Sequence, residues 1–214
     1  MLACADMAWV IVGLGNPGEE YARTRHNAGR MALEYFASAK DLTPLKEDRK
    51  NKVHVSKGAI KKTLVALIAP DTYMNKSGSA VVKYVKPARP NGRSGGSAKA
   101  AERMVVVYDD LDVPLGTVKI SFDRGSGGHK GLESVMRAVK TKKFTRVRIG
   151  VSPATTGGTL KKPSGEKEVL DFILAQFRAH EMEELKRVNK RVAAILECIV
   201  LEGRMAAMNR FNRG

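Results

Sequence analysis

Four separated segments of the chain hold polar side chains in places that apolar packing cannot explain. The first runs from Asn16 through Tyr21 to His26 and Asn27, and the second, Pro70 to Gly78, carries Met74 and Asn75. The third is Asp109-Asp110-Leu111-Asp112, and the fourth is Gly127-Gly128-His129-Lys130-Gly131. An imidazole exchanges its proton near neutral pH, a carboxylate can hold and orient an imidazole, and an asparagine amide both donates and accepts hydrogen bonds. These are the residue types of general acid–base chemistry at a carbonyl. Singly, each has an ordinary account: Asn16 as a turn residue, Asn75 as a helix N-cap, the aspartates as solvated loop charges, His129 as a hydrogen-bonder in a glycine loop.

Other chemistries find less support. No G-x-S-x-G is present, so a covalent acyl-enzyme on a serine elbow is not indicated. The four histidines, His26, His54, His129 and His180, lack metal-ligand spacing, and Cys4 and Cys198 form no CxxC, so no metal is expected and the cysteines read as reduced thiols. Gly13-Leu14-Gly15-Asn16-Pro17-Gly18 does match the GxGxxG spacing of a dinucleotide turn. In that fingerprint a helix begins among the glycines, whereas here helical periodicity starts only at Ala28. Pro17 also removes an amide from the cradle, and Glu34 falls inside the helix instead of at the end of a second strand. No cofactor is expected.

The segments must be positioned by strands and helices that the pattern reveals. Trp9 to Leu14 reads as a buried strand, and Ala28, Met31, Ala32, Tyr35 and Phe36 form one apolar helix face. Lys52–Lys57 and Thr63–Ile68 read as two strands turning around Gly58, followed by a helix over 75–86 that stops before Pro87. Met104–Val107 and Val118–Phe122 are the next strands, with Asp109 to Asp112 in the loop between them. Leu132, Val135, Met136 and Val139 mark a helix, Arg146–Val151 a strand, and 153–166 a loop. Leu185, Val188, Val192, Ile195 and Ile199 then step by 3-4-3-4, a docking stripe on a terminal helix. This alternation predicts an α/β fold, with a twisted mixed, largely parallel sheet flanked by helices in one domain over 1–214. Residues 87–103, rich in Pro, Gly, Ser and basic side chains, read as a flexible insertion.

Composition says what such a domain would meet. Lys and Arg number 38 against 22 Asp and Glu, giving +16 and a pI near 10.0, the balance of a protein with a polyanionic partner. Aromatics are only 6%, which favours phosphate contacts over base stacking. The longest apolar run, Met7 to Leu14, is far short of the ~20 residues of a membrane helix, and no basic start precedes it. A cytoplasmic location without membrane attachment is the expectation.

The wording of Gly-Leu-Gly-Asn-Pro-Gly, Thr-Arg-His-Asn-Ala-Gly, Tyr-Met-Asn-Lys-Ser-Gly, Asp-Asp-Leu-Asp-Val-Pro-Leu-Gly and Gly-Gly-His-Lys-Gly-Leu, in that order, resembles the bacterial-type peptidyl-tRNA hydrolase family from about Trp9 to Gly150. A fainter echo lies in Val169 to Phe177. The resemblance implies an esterase that cleaves a peptide from the 3′-terminal ribose of tRNA, acting as a monomer with no obligate protein partner. It makes His26 the base that activates water, Asp109 the carboxylate behind it and Asn16 an amide at the reacting centre. Tyr21, Met74, Asn75, His129 and Lys130 become substrate-binding residues. Lys130 stands where the family usually has Asn, and a phosphate contact suits a lysine better than an amide's paired bonding. Arg148 matches a basic family position on the tRNA side, with Lys119, Arg124 and Lys143 as further phosphate contacts. The family also has relatives in plant organelles that serve RNA splicing, so a non-catalytic RNA-binding protein on the same scaffold is the alternative.

Overall fold

The β-branched run Trp9–Gly13 forms the middle strand, β1, of a seven-stranded sheet. The computed structural model describes residues 9–86, 101–155, 157 and 159–213. β1 lies between β4 (Thr63–Pro70) and β5 (Met104–Pro114) and is parallel to both; β5 is parallel in turn to β7 (Thr145–Ser152). Antiparallel strands finish each side: β3 (Val53–Ile60) and β2 (Lys46–Asp48) beyond β4, and β6 (Val118–Phe122) beyond β7. The order is β2-β3-β4-β1-β5-β7-β6, a mixed sheet with parallel strands at its centre.

The central strands read as unbroken apolar runs because both of their faces are covered. Ile11, Val105, Val107, Val147 and Ile149 pack with α1 (Ala28–Ala39) and α5 (Ala179–Glu202). Val12, Val106 and Tyr108 pack with α2 (Ser77–Val81) and α3 (Lys130–Val139). The stripe expected on the terminal helix is the buried face of α5: Leu185, Val188, Val192, Ile195 and Ile199 are each at most 1% exposed. Burying side chains of this size contributes about 1.5–3 kcal/mol apiece. Among the described residues, no helix is long and apolar enough to cross a membrane.

Several boundaries differ from the sequence reading, each for a physical reason. The β3–β4 hairpin turns beyond Ile60, not at Gly58, which pairs with Val65 inside β3. Lys61 takes the left-handed φ of 52° there, so no glycine marks the turn. The helix expected over 75–86 is a 3-10 turn, Met74–Lys76, running into the five residues of α2. β5 does not stop at Val107: it continues through the aspartates, since Tyr108, Asp109 and Asp110 stay paired with Arg148, Ile149 and Gly150 of β7. The expected loop 153–166 ends at α4 (Glu166–Leu174), and a last helix, α6 (Arg204–Phe211), follows α5 after Gly203. No residue of α4 is fully buried: Val169, Phe172 and Ile173, at helical spacing, are only partly covered. Most of the insertion expected at 87–103 lies outside the described residues; Ala101, at its end, is helical and buried in the α2–α3 core.

Candidate active site

His26 sits in a 3-10 turn, Arg25–Asn27, that leads directly into α1. Gly29, in the first turn of α1, lies so close to β5 that a Cβ would overlap the Val107 carbonyl. This approach, open only to glycine, brings His26 over Asp109 two residues further along β5. The His26 Nδ1 lies 3.0 and 2.9 Å from the two Asp109 carboxylate oxygens, and both side chains are buried. A ring nitrogen facing two carboxylate oxygens carries the proton, which leaves the lone pair on Nε2.

Asp109 has a second imidazole partner. His129 caps α3: its Nδ1 accepts from the Leu132 amide at 3.1 Å, and its Nε2 donates to Asp109 Oδ1 at 3.0 Å. The two histidine rings lie 4.8 Å apart, and Tyr108 meets His129 edge-on at 5.0 Å. Burial pushes the Asp109 carboxyl up, but the two histidines outweigh it and hold the group well below the usual carboxylate range. Burial, with Asp110 nearby, pushes the Tyr108 phenol up to about 12. His26, Asp109 and His129 could together present three ligand atoms to a metal, within 4.8 Å of one another. Two of those contacts are the hydrogen bonds just described, so a metal would have to break them.

Asn16, three residues beyond β1, is fixed from both sides. Its backbone N–H donates to Asn27 Oδ1 at 2.8 Å, and Asn27 Nδ2 donates back to the Asn16 carbonyl at 2.9 Å. Its own Oδ1 accepts from the Met74 amide at 2.8 Å, which orients Nδ2 as the remaining donor of a buried amide. Met74 is buried against Gly131, where any Cβ would strike its sulfur, so the 3-10 turn and the start of α3 are locked together. Asn75 is not a helix cap: Lys76 precedes α2, and the Asn75 side chain is exposed. Tyr21 is half-buried in its own 3-10 turn, and Lys130 is exposed and paired with Glu166 of α4 at 3.0 Å.

The basic candidates divide. Arg148 lies opposite Tyr108 in the sheet and donates through Nε to Asp110 at 2.7 Å, so it stands beside the histidine–aspartate set. Lys119 faces Arg148 across the β6–β7 ladder. Arg124 and Lys143 are exposed and bond to none of the central residues. His180 is exposed, and His54 accepts from Arg30 at 3.0 Å. An open cavity of about 560 Å³ lies between α1 and β3 around Arg30, Leu42 and His54, and none of the central residues lines it.

Sequence reasoning gave no role to two groups. One is Asn27, whose amide clamps Asn16; its signal was its place directly after His26. The other is Arg25, buried beside His26. Its Nη2 donates to both Glu181 oxygens at 3.0 and 2.7 Å, and its Nη1 donates to the carbonyls of Phe172, Ala175 and Gln176. Glu181 also accepts from the Arg178 amide in a capping box, so one ion pair joins the His26 turn to the end of α4 and the start of α5. The signal available was an acid at the third position of a helix, which points to a cap but not to its partner.

The model of the family "Peptidyl-tRNA hydrolase" matches residues 10–214. The peptidyl-tRNA hydrolase of Chloroflexus aggregans is 39% identical over 205 residues, covering 95% of this chain and 98% of that protein. That of Carboxydothermus hydrogenoformans is 36% identical over 206 residues, covering 96% and 99%. The crystal structure of peptidyl-tRNA hydrolase from Acinetobacter baumannii is similar at a TM-score of 0.80 and 31% identity, over 96% of this chain and 95% of that one. With this breadth of agreement in sequence and fold, the chain belongs to the peptidyl-tRNA hydrolase family.

Proposed function

We propose that this protein hydrolyses the ester joining a peptide, or an N-blocked amino acid, to the 3′-terminal ribose of tRNA. The observation that carries the reading is the buried contact of His26 Nδ1 with Asp109 at 2.9 Å, which points an unprotonated Nε2 away from the carboxylate. Nε2 takes a proton from water as the water oxygen bonds to the acyl carbon, and the imidazolium that forms is stabilised by Asp109. The same proton then passes to the ribose oxygen as the ester bond breaks, giving a free tRNA terminus and a carboxylic acid, which releases its own proton to water to become the carboxylate. Asn16 Nδ2 is the donor that holds the water or the developing oxyanion, because its Oδ1 is committed to Met74.

Tyr21, Met74, Asn75 and Lys130 form the surroundings of the substrate, with Asn75 and Lys130 at the exposed rim. His129 has both ring nitrogens engaged within the protein and offers substrate only a carbon edge. Arg148, with Lys119 beside it, takes tRNA phosphate, and Arg124 and Lys143 extend the basic surface. The protein acts as a monomer in the cytoplasm without an obligate protein partner.

The test is turnover of a labelled N-blocked aminoacyl-tRNA by wild type and by His26→Ala, with tRNA binding followed in parallel. Loss of turnover by about 10²–10⁴-fold with binding retained supports the reading. Binding without turnover by wild type, across salt and pH, overturns it in favour of a non-catalytic RNA-binding protein.

A further inference from the structure

His129 differs from His26 in one respect that its hydrogen bonds decide. The Leu132 amide can only donate, so the His129 Nδ1 that receives it at 3.1 Å carries no proton. The ring's proton is then on Nε2, aimed at Asp109 Oδ1 at 3.0 Å. His129 thus accepts the cap of α3 through Nδ1 and gives its N–H to Asp109 through Nε2. Oδ1 is also one of the two oxygens that His26 uses, at 3.0 Å. A single buried carboxylate thus serves two imidazole donors.

Most other charges around this set have partners of their own, on neighbouring elements. Beside His26, Arg25 is paired with Glu181 of α5, and on α1 Arg30 lies against Glu34, His54 and Asp71. On β5 and β7, Asp110 is paired with Arg148, and Arg146 donates to backbone carbonyls beside the Phe144 ring. Tyr108 stays a neutral phenol, and Lys130 is paired with Glu166. No other side chain hydrogen-bonds to Asp109 among the described residues.

We propose that His129 is a positioning residue that limits how strongly Asp109 holds the proton on His26, and so sets the pH at which His26 becomes available as a base. The N–H of His129 occupies acceptor capacity that would otherwise serve His26 alone, and it pins the carboxylate in the plane that meets the His26 ring. Remove that donor, and the full charge of Asp109 stabilises the His26 imidazolium. This role rests on the hydrolytic reading above.

Two conservative variants separate the bond to Asp109 from the cap on α3. In His129→Asn the side-chain oxygen replaces Nδ1 and still caps the helix, but nothing reaches Asp109. In His129→Gln the side-chain amide replaces Nε2 and still donates to Asp109, but the cap is lost. For His129→Asn, the acid limb of the kcat/KM profile moves to higher pH by about 0.5–1 pH unit, the size of one ordinary hydrogen bond, with Tm little changed. For His129→Gln, the limb stays with that of wild type while Tm falls.

The same comparison is made without substrate, by following the His26 ring carbon proton by NMR through a pH titration. A midpoint in His129→Asn that coincides with wild type, or moves to lower pH, overturns the proposal even if the enzyme turns over. Absence of turnover in wild type removes the hydrolytic reading instead, and the NMR midpoints still decide whether His129 governs His26.

Discussion

The role proposed for His26 requires its proton on the far nitrogen and a counter-charge for its cation, and Asp109, at 3.0 and 2.9 Å from Nδ1, is placed to supply both. Asp109→Asn replaces the charge with a dipole and lets an amide donate where only acceptance is useful. Turnover should fall by about 10²–10⁴-fold with tRNA affinity little altered, read from kcat and from equilibrium binding. The same carboxyl is held below its ordinary value of 3.8 in the folded protein. A depressed carboxylate contributes stability above the unfolded value and loses it as pH falls toward the folded one. Wild type should therefore lose stability relative to Asp109→Asn only as the pH is lowered from about 4, which paired thermal melts would measure. That His26, Asp109 and Asn16 lie near one another could be expected from the chain because their segments matched a family's wording, although Asp109 sits inside β5 and not in a loop after it. The clamp of Asn27 on Asn16 could not, since an amide beside a histidine carries no mark of which backbone it will meet.

At the scale of elements, the site depends on two close fits. Gly29 lets α1 settle onto the Val107 carbonyl, and a methyl group there must push the helix away from β5. Gly29→Ala should cost about 1–3 kcal/mol in urea unfolding and also lower kcat, because the His26 turn moves with the helix. A loss of stability with kcat unchanged would mean that the turn is held independently of α1. The second fit is Arg25 with Glu181, whose side chains are 5% and 6% exposed. Glu181→Gln leaves a buried guanidinium without its charge partner and should destabilise by about 3–5 kcal/mol. Periodicity disclosed α1, α3, α5 and the apolar strands, where side chains repeat on a buried face. It missed β2 and the extension of β5, where pairing to neighbouring strands holds the backbone, and α4, whose short apolar face is only partly covered and whose end is tied down by Arg25.

At the scale of the whole molecule, a charge of +16 acts over a long range on a polyanion such as tRNA, whereas the phosphate contact proposed for Arg148 is local. Its Nε is already committed to Asp110 at 2.7 Å, so what it offers a phosphate is the outer edge of the guanidinium at a defined place beside the histidines. The two contributions separate by their salt dependence. Each phosphate neutralised should add about 0.7–0.9 to the magnitude of the log–log slope of tRNA affinity against salt, measured between about 50 and 200 mM. Arg148→Gln should lower that magnitude by about one while leaving a steep residual slope from the remaining basic surface. In turnover, the same variant should raise KM more than it lowers kcat, because it weakens the grip on the nucleic acid without touching the base. A slope that collapses toward zero on this single substitution would instead place nearly all of the electrostatic attraction at Arg148 and leave the distributed charge without a part in binding.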